Sequence, residues 1–314
     1  MKNDPIVAAL ARLDEIDPQT ADGEKHLAKA LAAKSNLVAA KAARIAGERL
    51  CADLMPDLAA AFGRFLEKGA ALDKGCAAST AIARALVAFD CDDASLFRRG
   101  MKHVQMEPVW GGTQDTAAEL RSICAMGLAN SGDPRPLRDL AELLVDREWT
   151  ARAGAVRAIA AVGSEAASLL LRYKTLLGDK DAEVLSESIS ALLEIEGAEA
   201  LPLACELARS RAPEVRETAI LALGASRRAD AIEWLKQQYE RSADTATKKC
   251  ILLALASSRT EPAIDFLLGL IRGGSPSAAS LAISAMTVQR VDPHLRAAVE
   301  EAARNRTDIP KLPE

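Results

Sequence analysis

Six short apolar segments superpose on one alanine: Ile123-Cys-Ala-Met126, Val156-Arg-Ala-Ile159, Ile189-Ser-Ala-Leu192, Ile220-Leu-Ala-Leu223, Leu252-Leu-Ala-Leu255 and Ile283-Ser-Ala-Met286. The shared alanines stand at 125, 158, 191, 222, 254 and 285, so the steps are 33, 33, 31, 32 and 31 residues. A step kept five times marks a repeat architecture, in which each short unit buries its apolar face only against its neighbours. Two residues before each alanine stands Ile, Val or Leu, and one residue after it Met, Ile or Leu. Three residues before it the column reads Ser, Ala, Ser, Ala, Ile, Ala. At about 100° per residue these columns form one broad buried face, with small residues where a neighbouring helix comes close.

Each of these helices is followed by a turn and a second amphipathic stretch, predicted as helices over 137–145, 165–177, 198–208, 229–239, 262–271 and 293–303. The dipeptides Asp133-Pro134, Ala212-Pro213, Glu261-Pro262, Ser275-Pro276 and Asp292-Pro293 are expected to open helices, since proline's missing N–H costs nothing at the first helical position. Upstream, Val38-Ala-Ala-Lys-Ala-Ala-Arg-Ile-Ala-Gly47 superposes on Val215-Arg-Glu-Thr-Ala-Ile-Leu-Ala-Leu-Gly224, which places anchors at Ile45 and Ala85 and lengthens both steps to 40. Of 314 residues 64 are alanine and 41 leucine, and aromatics make up 3%. Those are strong helix formers, and a sandwich or barrel needs far more Val, Thr, Tyr and Phe. The expectation is an all-α, right-handed α-solenoid of seven to eight helix pairs without strands. Residues 1–130 form degenerate repeats with insertions and 131–314 regular repeats with a C-terminal cap, in one continuous array.

The net charge is −4, and the chain divides at residue 150 into 19 basic and 22 acidic residues, then 21 and 22. Neither half is basic, which disfavours nucleic acid as a partner, because phosphate neutralisation dominates that binding. The longest uncharged stretch, Gly273 to Gln289, falls short of the roughly 20 apolar residues a membrane span needs, so no membrane partner is expected. Met1 to Leu13 is charged from its start and contains no apolar run of the signal-peptide kind, which predicts a cytoplasmic location. The six cysteines show no C-x-x-C spacing and several sit in alanine-rich helices, so they are expected to be reduced core residues.

The segment Pro213-Glu-Val-Arg-Glu-Thr-Ala-Ile-Leu-Ala-Leu-Gly224, followed by Ala229-Asp-Ala-Ile-Glu-Trp-Leu235, resembles the short HEAT repeat of the phycobilin-lyase type. The resemblance is clear over 133–305 and weaker over 24–130. It departs from the pattern where Val184 is followed by Leu185 instead of arginine, and at Ala246-Thr247-Lys248. This family includes scaffolds, bilin lyases, a hydroxylase and DNA glycosylases, so the resemblance implies a fold more than a function. The hydroxylase branch builds a di-iron site from His-Glu dipeptides, and neither His26, His103 nor His294 is followed by glutamate. The glycosylase branch implies a basic concave face, which this acidic chain does not offer. No P-loop, G-x-S-x-G, H-E-x-x-H or G-x-G-x-x-G pattern occurs, so no catalytic residue, metal or cofactor is assigned. The reading is a non-catalytic scaffold that binds a protein or peptide in a concave groove. The alternatives are a lyase-like handler of a small ligand and, less favoured, a glycosylase.

In such solenoids the first helix of each repeat lines the concave face, and the positions five and one before each anchor point outward. They read Leu120, Ala153, Ser186, Glu217, Lys249, Ser280 and Cys124, Arg157, Ser190, Leu221, Leu253, Ser284. Arg157, Glu217, Leu221, Lys249 and Leu253 are the candidate contacts, unless the leucines are covered by their own second helices. The second candidate region is the surplus around His103-Val-Gln-Met-Glu-Pro-Val-Trp-Gly-Gly-Thr-Gln-Asp115. If the helix from Leu96 continues to Glu107, then His103 and Glu107 share a face and Pro108 ends it. Trp110 follows outside any helix, then Gly111-Gly112 and Asp115. Thr116-Ala-Ala-Glu119 reads as a capping box for the next helix, with Arg121 one turn in on the groove side. Either this loop holds a ligand or peptide, with Trp110 stacking and the helix terminus receiving an anion, or Trp110 plugs the junction between unequal repeats. A metal at His103 and Glu107 has too few ligands, with Asp115 only a guess for a third.

Overall fold

The computed structural model describes residues 4–287, 293–304 and 306–309. The chain forms two compact units, Met1–Leu171 and Arg172–Glu314. In the first lie α1 (Pro5–Glu15), α2 (Ala21–Leu31), α3 (Asn36–Arg49), α4 (Met55–Lys68), α5 (Ala77–Ala88), α6 (Ala94–Met101), β1 (Met106–Val109), β2 (Gly112–Asp115), α7 (Ala118–Asn130), α8 (Pro136–Leu143) and α9 (Trp149–Val162). Helix α10 (Glu165–Leu177) runs across the boundary. The second unit continues with α11 (Ala182–Glu196), α12 (Leu201–Leu207), α13 (Pro213–Ala225), α14 (Ala229–Arg241), α15 (Thr245–Ser258), α16 (Glu261–Gly273), α17 (Pro276–Thr287) and α18 (Pro293–Ala303). Among the described residues this makes nine helix pairs.

The repeat columns explain the packing. In the first unit α3, α5, α7 and α9 stack one on the next, and in the second α11, α13, α15 and α17 do the same. Ala125, Ala158, Ala191, Ala222, Ala254 and Ala285 are all buried, so the anchor column is the seam of each stack. A methyl side chain there lets backbones approach, while the flanking Val156, Ile159, Ile189, Ile220, Leu223, Leu252 and Leu255 fill the core. Each fully buried aliphatic contributes about 1.5–3 kcal/mol to its repeat. Five cysteines are buried and Cys250 is half-buried, all of them free thiols.

Pro213 and Pro276 open their helices as expected, and Pro262 sits one residue inside α16. Pro134 does not open a helix: α8 begins at Pro136, because Asp133 instead turns the chain by accepting the Arg135 N–H. Position 292 lies outside the described residues. No helix among those described is long and apolar enough to cross a membrane.

The expectation of no strand is overturned by one antiparallel hairpin. Met106 pairs with Asp115, Glu107 with Gln114, Pro108 with Thr113 and Val109 with Gly112. The Thr116 N–H donates to the Gln105 carbonyl at 2.9 Å, which fixes the phase of the ladder. Hydrogen-bonded pairs then alternate from 105/116, and Pro108 falls at an outward-facing position where its missing N–H breaks no bond. The two-residue turn is Trp110-Gly111, and Gly111 takes φ 89°, a conformation open to glycine at the second turn position.

Candidate functional site: a pinned hairpin beside a groove

The base of the hairpin is held by side chains buried in the first unit. Glu107 Oε1 accepts from the Gly75 N–H at 2.6 Å, from Gln105 Nε2 at 2.6 Å and from Thr116 Oγ1 at 2.8 Å. Gln105 Nε2 also donates to the Asp73 carbonyl at 2.9 Å. Asp73 itself is fully buried and accepts the Ala78 and Ser79 N–H groups, closing the start of α5. The segment from Asp73 to Ser79 and the hairpin are therefore one hydrogen-bonded body.

On the other side Arg121, only 2% exposed, joins three pieces of chain. Its Nη1 lies 2.8 Å from Asp115 Oδ2 and donates to the His103 carbonyl at 3.0 Å. Its Nε and Nη2 form a fork on Asp146 at 2.9 Å each. A planar guanidinium suits this arrangement, since it offers several donors in fixed directions.

These contacts correct the helical reading of the insertion. Helix α6 stops at Met101, and Glu107 lies in β1 instead of one turn below His103. His103 stands near Gln105 Oε1 at 3.3 Å and shares no helix face with the carboxylate. The capping box does not form: the residue before α7 is Ala117, and Thr116 spends its hydroxyl on Glu107. Asp115 supplies the turn instead, accepting the Ala117 N–H at 2.9 Å. Arg121 is a buried clamp and does not face a groove. Trp110 does not plug the junction either, for it is 103% exposed at the tip, with Val109, Gly111 and Gly112 exposed beside it.

Hydrogen bonds from Gln105, Gly75 and Thr116, in that order, hold the Glu107 carboxyl below the usual carboxylate range. A lowered pKa in the folded state contributes stability that is present above the unfolded value and lost as pH falls through the folded one. The hairpin base should therefore hold at neutral pH and loosen in acid, below about pH 4. Amide exchange at Gly75 and Thr116, corrected for intrinsic rates, should rise there, and Glu107→Gln should flatten the response. Protection independent of pH would contradict this assignment. Cys76, in a left-handed backbone conformation at φ 51°, has its sulfur 3.8 Å from Thr116 Oγ1. Burial pushes its thiol up to about 11, so it stays protonated.

A groove of about 780 Å³ runs over α3 and α5 next to this body. Its floor is small and apolar, with Ala40, Ala43, Gly47, Ala81 and Ala85, and its rim carries Lys41, Arg44, Glu48, Arg84 and Glu119. Gly75 lines the groove and also donates to Glu107, so groove and hairpin share a wall. Ala40, Arg44, Thr80 and Arg84 stand five and one before the anchors Ile45 and Ala85. The same two columns therefore line the groove in the degenerate repeats.

In the regular repeats the rule holds in part. Arg157, Glu217 and Lys249 are exposed, Leu221 is 39% exposed and Leu253 half-buried, so no second helix fully covers the two leucines. Leu120, Cys124 and Ala153 are buried instead of outward. In α7 the cause is rotation about the helix axis: Cys124 packs against Gly100 of α6, and Ile123 and Met126 are only half-buried. Among the described residues no group of three His, Cys, Asp or Glu is placed to hold a metal ion.

Residues 201–287 match the family model for HEAT repeats. The chain as a whole is an all-α repeat protein. No curated protein matches the chain by sequence. Among solved structures it is similar to the complex of CpcE and CpcF of phycocyanin lyase from Nostoc sp. PCC7120, at 13% identity and TM-score 0.34 over 96% of each chain. It is similar to human deoxyhypusine hydroxylase at 17% identity and TM-score 0.30, covering 80% of this chain and 97% of that one. An engineered protein is 18% identical at TM-score 0.31, with 96% and 90% covered.

Proposed function

We propose that the protein is a non-catalytic scaffold that docks a protein partner on the groove over α3 and α5 and on the adjoining hairpin. The observation that carries this reading is Trp110, a fully exposed indole on a finger whose base is fixed by a buried polar network. Exposed tryptophans with rigid backbones are the residues from which interfaces draw most of their binding energy. The hairpin's own polar groups favour no chemistry, since Glu107 is spent on three donors and the Cys76 thiol stays protonated. In the second unit the strip of Glu217, Leu221, Lys249 and Leu253 is proposed as a further contact surface, its two leucines set among charges.

The test compares wild type with Trp110→Ala and with Ala81→Arg, which fills the groove, in affinity capture from the source cells. Trp110 has its surface in solvent, so its loss should leave stability within about 0.5 kcal/mol. Proteins retained by wild type should be lost at least tenfold with either variant. Equal retention by all three would overturn the proposal. A second reading, of a planar small molecule in the groove, draws on its volume, which falls in the range of small-molecule sites. An absorption band of the purified protein beyond the aromatic region would favour it.

A further inference from the structure

We infer that the partner of this surface is a second copy of the chain: the Trp110 finger of each copy enters the α3–α5 groove of the other in a twofold dimer. This rests on the reading of groove and hairpin as a docking surface and names its occupant.

Three observations lead to self-association. First, knob and hole are neighbours on this unit, because Gly75 lines the groove and anchors the base of the hairpin through Glu107. A twofold interface needs a self-complementary patch of this kind, with the same surface giving and receiving on both copies. Second, the charges suit an uncharged visitor. The rim mixes Lys41, Arg44 and Arg84 with Glu48 and Glu119, so a strongly charged foreign segment gains little there. The finger from Pro108 to Gln114 carries no charge at all, and its widest side chain meets a floor of alanines and glycine. Lys41 is engaged by Asp14 and Arg84 by Glu119, whereas Arg44 makes no ion pair with a described residue. Its guanidinium is left to cover the face of an incoming indole. Third, the areas match. Two tryptophans at up to about 250 Å² each, with the groove surface they cover, bury roughly 1,000 Å², the lower bound for a specific interface. That predicts a weak dimer, in exchange with monomer at micromolar concentration.

Sedimentation equilibrium on the full chain, from low to several hundred micromolar, reads the association directly. Wild type should pass from monomer to dimer, and Trp110→Ala should weaken the dimer by at least about 100-fold, since it removes a hot-spot residue from each copy. Ala81→Arg should do the same by blocking the hole. Circular dichroism and melting curves confirm that both variants are folded. The two variants together supply one intact finger and one intact groove, so their mixture should associate more strongly than either alone, while the double variant should not. A wild-type monomer at every concentration, an unaffected Trp110→Ala dimer, or a mixture no stronger than its components would each overturn the inference. If wild type stays monomeric yet captures a different protein that both variants lose, the docking surface stands and only its occupant is wrong.

Discussion

Arg121→Met is expected to destabilise the first unit by about 3–5 kcal/mol, the cost of removing one partner from a buried ion pair. The physical reason is what remains. Asp115 and Asp146 would keep their positions with no cation between them, and the His103 carbonyl would lose its donor. Methionine fills similar volume, so the loss is electrostatic and not a cavity. At roughly 2–4 °C per kcal/mol for a unit of this size, its melting transition should fall by about 10 °C in calorimetry. Arg121→Lys keeps the charge but loses the fork on Asp146, and should recover only part of the stability. Replacing Asp115 and Asp146 by asparagine together with Arg121→Met removes the uncompensated charges and should restore much of the loss. A melting temperature unchanged in Arg121→Met would show that the clamp is not what joins the hairpin to the loop after α8.

Gly224→Ala is expected to destabilise the second unit by about 2–3 kcal/mol, although alanine is the better helix former by about 1 kcal/mol. A Cβ at Gly224 would stand 2.4 Å from the Ala254 carbonyl oxygen and 2.8 Å from its carbon, both backbone atoms of α15. Backbone cannot rotate away as a side chain would, so α13 and α15 must separate, and the seam through Ala222 and Ala254 opens with them. Hydrogen exchange should rise over 213–258 while the first unit keeps its protection. Gly269→Ala is the matched control. It lies in α16 with nothing within 4 Å of the added carbon, and propensity alone should make it neutral to stabilising. If both substitutions stabilise, close approach at Gly224 is not what sets the repeat spacing.

The repeat was legible because its causes are local. Helix periodicity, the alanine anchors and proline at helix starts each act within a few residues, and a repeat meets only its neighbours. That is why α10, α17 and α18 begin where the pattern places them. The outward columns were legible in part, since Arg157, Glu217 and Lys249 are exposed. Their failure at Leu120 and Cys124 was not, because the turn of α7 about its axis is set by its contact with Gly100 on α6.

What the sequence by itself determined is therefore the all-α repeat, its step and its buried seam. The hairpin was decided by tertiary structure. Residues 102–107 read locally as the end of a helix, but Glu107 finds its donors at Gly75, 32 residues upstream, and at Thr116 across the ladder. Arg121 finds its acid at Asp146, 25 residues downstream. A strand has no stability without a partner, and a buried ion pair none without desolvation by the surrounding fold. Both depend on contacts that no local pattern contains, and they are what hold Trp110 out into solvent.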